Sequence, residues 1–356
     1  MQKIQLMCIN GGQNNAGEKA PSDVMDFAEE LGYKKVVFRM RNTDSFIKKL
    51  LSYLILIYDF ISFRIKYCTE ECILFLQYPF HISENVLFLF LKMLNRVVVK
   101  HDIKVITLLH DVNEMRNKQS KKKLLEKIMN LSTCLIAHNN KMIEYLIDRG
   151  ISPDKLVNLE IFDYKIKDSN ENKIFIFDRK VIIAGNLDSN KVGYIRQLHK
   201  INNITFELYG PNFQNDSYIT QNIKYKGIVA PSDLPSKLTS GFGLVWDGDS
   251  IDTCSGLCGN YLRYNNPHKT SLYLASGLPV IVWKEAAIAE FIKKYNLGFI
   301  VESLDQINNV LANLTESEYF EYTDSIKLMS KKLNDGYFTK KAILACENVI
   351  DNKTKF

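Results

Sequence analysis

Short, unbroken apolar runs alternate with longer amphipathic stretches along nearly the whole chain. Residues 4–9, 35–40 (KVVFRM), 72–77 (CILFLQ), 104–109 (KVITLL) and 134–137 (CLIA) read as strands. Their apolar residues run continuously rather than alternating, as in parallel strands covered by helices on both faces. Between them the pattern predicts helices over 23–31, capped by Ser22 or Asp23 and closed by Gly32, and over 50–63, 84–98, 120–130 and 141–149. A second series follows, with strands at 180–184, 205–209, 223–227, 241–246, 278–283 and 298–301. Its helices are expected at 234–239, 269–276, 285–294, 304–314, 316–333 and 339–351. The stretch 161–173, polar from Lys165 on, separates the two series and reads as a linker. The expectation is an α/β protein of two Rossmann-like domains, 1–165 and 174–335, with a terminal helix in 336–356 returning to the first.

Chemistry should gather where strands end, because ligands of open α/β sheets bind at the carboxyl edge. The richest such place is 246–282. Here 247–266 reads as a long polar loop, Asn265 or Asn266 as a helix cap, and Pro267 as tolerated in the first turn. Lys269 and Thr270 then stand at a helix start beside free backbone N–H groups, a setting suited to a diphosphate, although a lysine that merely solvates a helix start fits the spacing equally well. Gly277 stops the helix. Asp247, Asp249 and Asp252 are candidates for sugar hydroxyls rather than metal ligands. Gly185 and Asn186, after the strand at 180–184, allow close backbone approach, and Lys191 offers a charge for phosphate. In the first series, His110 and Asp111 follow the strand at 104–109. Either can serve as a base, with Glu114 as the alternative. Gly11, Gly12, Asn14 and Gly17 read as a substrate or acceptor loop, without the GxGxxG spacing of a dinucleotide site.

Composition narrows the class. The chain has 356 residues, 46% of them hydrophobic, enough for two cores. A net charge of +6 suits phosphate-bearing ligands or an anionic membrane surface and is too weak to argue for nucleic acid. The seven cysteines form no CxxC pair or zinc spacing; Cys68 with Cys72 and Cys254 with Cys258 are four apart, and reduced cytosolic thiols are expected. The apolar run 50–63 falls short of the ~20 residues needed to span a bilayer. It reads as a core helix, with Lys48, Lys49, Arg64 and Lys66 flanking it as a face that can rest on anionic lipid. The amino terminus reads as a strand rather than a signal peptide, which places the protein in the cytoplasm, at most peripheral to the inner face of the plasma membrane.

The segment GFGLVWDGDSIDTCSGLCGNYLRYNNPHKTSLYLASGLPVIVW closely resembles the bacterial O-antigen β-1,6-galactofuranosyltransferases. It is more distantly similar to the glucosyltransferases that extend sugars on serine-rich streptococcal adhesins. LLHDVNEMR, the His-Asn of AHNNKMIEYL, KIKD preceded by IFDY, and the AGNL of IIAGNLDSNK look like the same family's landmarks in the same order. The resemblance implies a GT-B glycosyltransferase, with two Rossmann-like domains facing each other across a cleft, a UDP-sugar donor and no cofactor or obligatory metal. It places Lys269 on the family's diphosphate lysine, Gly185 and Asn186 on the loop facing the diphosphate, and His110 and Asp111 on an HD pair. Tyr264 and Leu272 stand where many retaining GT-B enzymes carry the glutamates of an ExxxxxxxE pair, a departure compatible with an inverting reaction. The expected activity is transfer of a hexosyl unit, galactofuranose first, to a glycan acceptor of O-antigen or capsule biosynthesis carried on a polyprenyl diphosphate. A UDP-glucose-dependent glucosyltransferase acting on a protein- or lipid-linked glycan, and a non-catalytic UDP-sugar-binding partner subunit, are the alternatives. Peripheral membrane contact and a homo-oligomer complete the expected partners.

Overall fold

The computed structural model describes residues 1–10, 16–40, 46–67, 72–80, 84–116, 123–167, 176–214 and 220–354. Two compact units divide the chain: residues 1–13, 21–159 and 339–356 form the first, and 14–20 with 160–338 the second.

The first unit contains β1 (Gln2–Asn10), α1 (Ala16–Glu30, whose first turn is grouped with the second unit), β2 (Lys34–Met40), α2 (Phe46–Tyr67), β3 (Cys72–Tyr78), α3 (Glu84–His101) and β4 (Lys104–Leu109). It continues with α4 (Asn113–Arg116), α5 (Lys123–Leu131), β5 (Cys134–Ala137), α6 (Asn140–Ile147) and β6 (Leu156–Asn158). All strands are parallel, in the order β2-β1-β3-β4-β5-β6. β3 and β5 are buried throughout, which is why their sequences run apolar without alternation. A cluster of Phe38, Phe60, Phe63 and Phe90, in edge-on and tilted contacts, ties β2 to α2 and α3.

In the second unit the order is β7 (Ile176–Ala184), α7 (Ser189–Val192), β8 (Phe206–Tyr209), β9 (Ile223–Tyr225), α8 (Leu234–Lys237), β10 (Ser240–Val245), α9 (Gly256–Tyr261) and α10 (His268–Ala275). Then come β11 (Val280–Trp283), α11 (Ala289–Lys294), β12 (Gly298–Val301), α12 (Gln306–Asn313) and α13 (Glu316–Asn334). This sheet is also wholly parallel, ordered β12-β11-β10-β7-β8-β9. The last helix, α14 (Tyr337–Thr354), belongs to the first unit from Thr339 onward. There Lys3 and Tyr33 meet Glu347, and the buried thiols of Cys134 and Cys346 lie 2.7 Å apart.

Several expectations are corrected. Helix α1 begins at Ala16 rather than after Ser22, because Ala16, Glu18, Lys19 and Ala20 favour helix enough to carry it across Pro21. Gly17 is therefore helical rather than part of a loop. Helix α2 has 22 residues, so Lys48, Lys49, Arg64 and Lys66 lie inside it rather than beside it. The stretch 247–266 is not all loop: α9 forms within it despite Gly256 and Gly259, because Tyr261 and Leu262 are buried and tertiary packing overrides propensity. The linker reading of 161–164 fails, since Ile161, Phe162, Asp163 and Tyr164 are buried. The Tyr164 N–H donates to the Leu333 carbonyl and its hydroxyl to the Pro231 carbonyl, weaving this segment into the second unit.

Candidate active site

In the second sheet the chain moves outward from β7 through β8 to β9, then returns to the far side of β7 for β10. Neighbouring strands whose connections diverge this way open a crevice at their carboxyl ends. Gly185 leaves β7 there, and Trp246 and Asp247 leave β10. The same crevice receives α10, for a local reason. A Cβ on Gly243 of β10 would stand 2.1 Å from the Tyr273 ring, so glycine lets that ring lie directly on the strand. Tyr273 then accepts a hydrogen bond from the Ala184 N–H at 2.8 Å, which fixes α10 to the end of β7. Gly210 packs equally closely: a Cβ there would fall 1.8 Å from the Gly185 carbonyl oxygen, and its φ of +143° strains any other residue.

Lys269, in the first turn of α10, is almost fully buried, with 12% of its side chain exposed. Its ammonium donates to the Trp246 carbonyl and to Asp247 Oδ1, both at 2.8 Å. Burial pulls the lysine below its usual range and the nearby Lys191 pulls the same way, while Asp247 resists. Two cations thus stand against one carboxylate in this group. No side chain caps α10, whose N-cap position is Pro267. The expected asparagine cap is corrected here: the Asn266 amide instead donates to the Glu160 carbonyl at 2.9 Å. An uncapped helix start and a buried ammonium both favour an anion.

Between Asn265 and Ser271, four buried polar atoms lack a hydrogen-bond partner among the described residues: Asn265 Oδ1, His268 Nε2, Thr270 Oγ1 and Ser271 Oγ. Buried polar atoms are rarely left this way unless a ligand or water completes them. His268 stacks on Tyr164 at 5.0 Å, and the Lys19 ammonium sits 4.4 Å over the other partner of that stack, the Tyr164 ring. Burial drives His268 down to about 3, with the charge of Lys19 acting in the same direction, so its imidazole is neutral.

The remaining sequence candidates of this unit take supporting places. Asn186 Oδ1 accepts from the Asp188 N–H at 3.1 Å and from the Asn212 amide at 2.8 Å, ordering the loop after Gly185. The Lys191 carbonyl accepts from the Gly248 N–H, joining that loop to the one after β10. Asp249 is exposed; its carbonyl accepts from Gln197, and its carboxylate borders Gly193 and Gly256. Asp252 accepts from Ser250. Among the described residues no group of three or more His, Cys, Asp or Glu side chains could hold a metal ion.

At the carboxyl edge of the first sheet, β3 and β4 end side by side, and the His110 N–H donates to the Tyr78 carbonyl. His110 Nε2 lies 2.6 Å from Gln77 Oε1, while Gln77 Nε2 donates to the Pro21 carbonyl at 3.1 Å. With its amide nitrogen committed, Gln77 offers His110 an acceptor, which selects the tautomer protonated on Nε2 with the lone pair on Nδ1. Beneath this turn His138 donates from Nε2 to the Leu109 carbonyl at 2.9 Å. Burial lowers His138 to about 4 against the opposing charge of Asp111. The Glu114 carboxyl is pushed up by burial. Asp111 follows His110 on the same exit. Gly11, Gly12 and Asn14 lie outside the described residues.

The structure thus gathers Lys269, Asp247 and Lys191 in one electrostatic group beside Thr270, and sets His110 and Asp111 on the other sheet. His268, Asn265, Ser271, Gln77 and His138 were missed as site residues. Their sequence signal is adjacency to Lys269 for the first three, a place at the end of a buried strand for Gln77, and for His138 such a place together with the His-Asn landmark of the resemblance.

Two parallel Rossmann-like sheets, the second with an uncapped helix start and a buried lysine at its switch point, define a glycosyltransferase of the GT-B fold. Family models agree along the chain: the N-terminal domain of glucosyltransferase 3-like proteins matches residues 3–161 and their C-terminal domain residues 181–346. The chain belongs to this glucosyltransferase 3-like family. It is 35% identical to the β-1,6-galactofuranosyltransferase WbbI of Escherichia coli K12 over 255 residues, 70% of this chain and 72% of that one. It is 29% identical to glucosyltransferase 3 of Streptococcus gordonii over 247 residues, 68% and 70% of the two chains. The crystal structure of Anabaena HepE with UDP and glucose superposes with a TM-score of 0.60 at 12% identity, covering 96% of this chain and 98% of HepE.

Proposed function

We propose that the protein transfers a galactofuranosyl unit from its UDP donor to a glycan acceptor, with inversion at the anomeric carbon and without a metal ion. The observation that carries the reading is the buried Lys269 ammonium at the uncapped start of α10, held by Asp247 and reinforced by Lys191. In this reading the acceptor hydroxyl oxygen bonds to the anomeric carbon as the bond from that carbon to the diphosphate oxygen breaks. The hydroxyl proton passes to the His110 imidazole, and UDP leaves with the bonding electrons. Lys269 and the first N–H groups of α10 stabilise the charge that grows on the diphosphate, the place where preorganised donors lower a barrier most. Lys269 and α10 belong to the second unit and His110 to the first, where Gln77 holds its tautomer. Identity to a galactofuranosyltransferase favours that sugar, while the glucosyltransferase 3 relative supports UDP-glucose as the second reading.

A panel of UDP-galactofuranose, UDP-galactopyranose, UDP-glucose and UDP-N-acetylglucosamine, offered to wild type and Lys269→Ala with and without EDTA, tests this. Selective turnover of UDP-galactofuranose, lost in the variant and indifferent to EDTA, with a product of inverted configuration, is the expected result. Turnover of UDP-glucose alone selects the second reading. A protein that binds no UDP overturns both.

A further inference from the structure

We infer that the outer face of α2 and α3 is a docking surface for an anionic lipid bilayer. Helix α2 carries two apolar stripes rather than one. Leu56, Phe60 and Phe63 are buried against the first unit's core. Leu51, Leu54, Tyr58, Ile61 and Ile65 recur at alternating spacings of three and four, which at 3.6 residues per turn places them on the opposite side of the helix. This second stripe is in solvent: Leu54 is 56%, Tyr58 67% and Ile65 76% exposed. The neighbouring α3 adds exposed Phe88, Leu89 and Val99. The two helices cover the same side of the sheet, since Phe60 and Phe90 meet at 6.1 Å and both reach Phe38. Their outward faces therefore form one surface.

Charge decides what covers it. The sequences of α2 and α3 hold seven basic residues against only Asp59 and Glu84, a net of +5 in 40 residues where the whole chain carries +6. Asp59 is turned into the core. Arg64 and Lys66 are exposed on the two flanks of the α2 stripe, and Lys92, Arg96 and Lys100 are exposed on the outer face of α3. An apolar strip rimmed by cations is how a helix lies in a membrane interface, its apolar side among the acyl chains and its basic groups at anionic headgroups. The three-and-four spacing also suits a helix from a second copy. A self-complementary contact, however, would set one basic rim against another, which disfavours it. No described helix is long and apolar enough to cross a membrane, so the contact is peripheral. The inference concerns the first unit's surface alone and depends on neither the donor sugar nor the acceptor.

Flotation of the full chain with vesicles of phosphatidylcholine, with and without phosphatidylglycerol, tests it. Wild type is expected to float with the anionic vesicles, to stay behind with the neutral ones, and to be released as salt approaches about 1 M, where screening falls to about 3 Å. Leu54→Gln with Ile61→Gln, both at exposed positions, should lower the vesicle-bound fraction at least tenfold (on the order expected for two buried aliphatic side chains) while the melting temperature holds. Each of Arg64→Gln, Lys66→Gln and Lys92→Gln should lower partitioning about fivefold. Binding that is absent, or equal on neutral and anionic vesicles, overturns the proposal. So does a Leu54/Ile61 variant that turns a dimer into a monomer in sedimentation with vesicle binding unchanged, because a second copy then covers the face.

Discussion

At the carboxyl edge of the second sheet, a lysine is sunk beside an aspartate at a helix start that no side chain caps. At the corresponding edge of the first sheet, two imidazoles are held by a backbone carbonyl and a side-chain amide. The two sheets share a parallel architecture, and both reverse strand order beside an early strand. What separates them is the handful of residues where strands end. One edge gathers positive charge that burial makes costly and an anion would relieve; at the other, the described residues hold two imidazoles by hydrogen bonds. Equal scaffolds with unlike edges suit a reaction that needs a place for departing charge and a place for a departing proton.

The comparison breaks most visibly at the base. His110→Ala should lower kcat/KM by about 10² to 10⁴ with UDP affinity unchanged, the range for losing a general base. Gln77→Leu sharpens the point: it leaves the ring but frees its tautomer, so kcat should fall with KM nearly constant and Gln77→Glu should restore part of it. A His110→Ala enzyme of wild-type rate would leave Asp111 or Glu114 as the base.

Next comes the cation. Lys269→Met should cost about 10² to 10³ in kcat, as removal of a preorganised donor does, and should weaken UDP binding, which His110→Ala leaves alone. Calorimetric titration with UDP separates the two edges directly. If both variants lose UDP equally, the division of labour argued above is wrong.

Much of this contrast was legible in the sequence, for a physical reason. Parallel strands covered on both faces must be apolar throughout, so KVITLL, CLIA and GFGLVW announce themselves, and the residue leaving each one is automatically at the ligand edge. His110 was singled out that way, and Lys269 by its place at a helix start and by the family resemblance. Three-dimensional pairing was not legible. Gln77 is simply the next residue of an apolar run until the structure sets it against His110. Asn266 has the right type and place for a cap, yet its amide is taken by Glu160, more than a hundred residues away. Helix α9 was hidden by its glycines, and the start of α1 by Pro21.

The two edges also share a liability, one buried neutral histidine each, and this gives a pH prediction with a definite sign. His138 titrates at about 4 and His268 at about 3 when folded, both through burial, against an ordinary value of 6.5. Each contributes stability fully present above pH 6.5 and lost as pH falls from there toward its folded value, where the loss levels off. The size is on the order of 3 kcal/mol per histidine. Urea midpoints measured from pH 7.5 to 4 should therefore fall steadily below 6.5. His138→Gln and His268→Gln should each flatten that slope, the two effects adding because they lie in different units. A slope unchanged in both variants would mean that neither ring is held neutral.

The smallest effect is expected at Asp249, and it refines the second edge rather than testing its existence. Asp247 and Asp249 are two residues apart on one loop and carry the same carboxylate, yet Asp247 is buried against Lys269 while Asp249 is exposed. Asp249 anchors its loop through the main chain, its carbonyl accepting from Gln197, and a side-chain change to asparagine preserves that bond. Asp249→Asn should therefore change kcat/KM only a few-fold. Asp247→Asn removes the sole carboxylate bonded to a buried ammonium, so Lys269 should titrate lower still and activity should decline at high pH, where a neutral amine no longer attracts the diphosphate. If Asp249→Asn proved the more damaging of the two, its carboxylate would be touching the sugar, and recognition of the donor would extend along the loop beyond the diphosphate site.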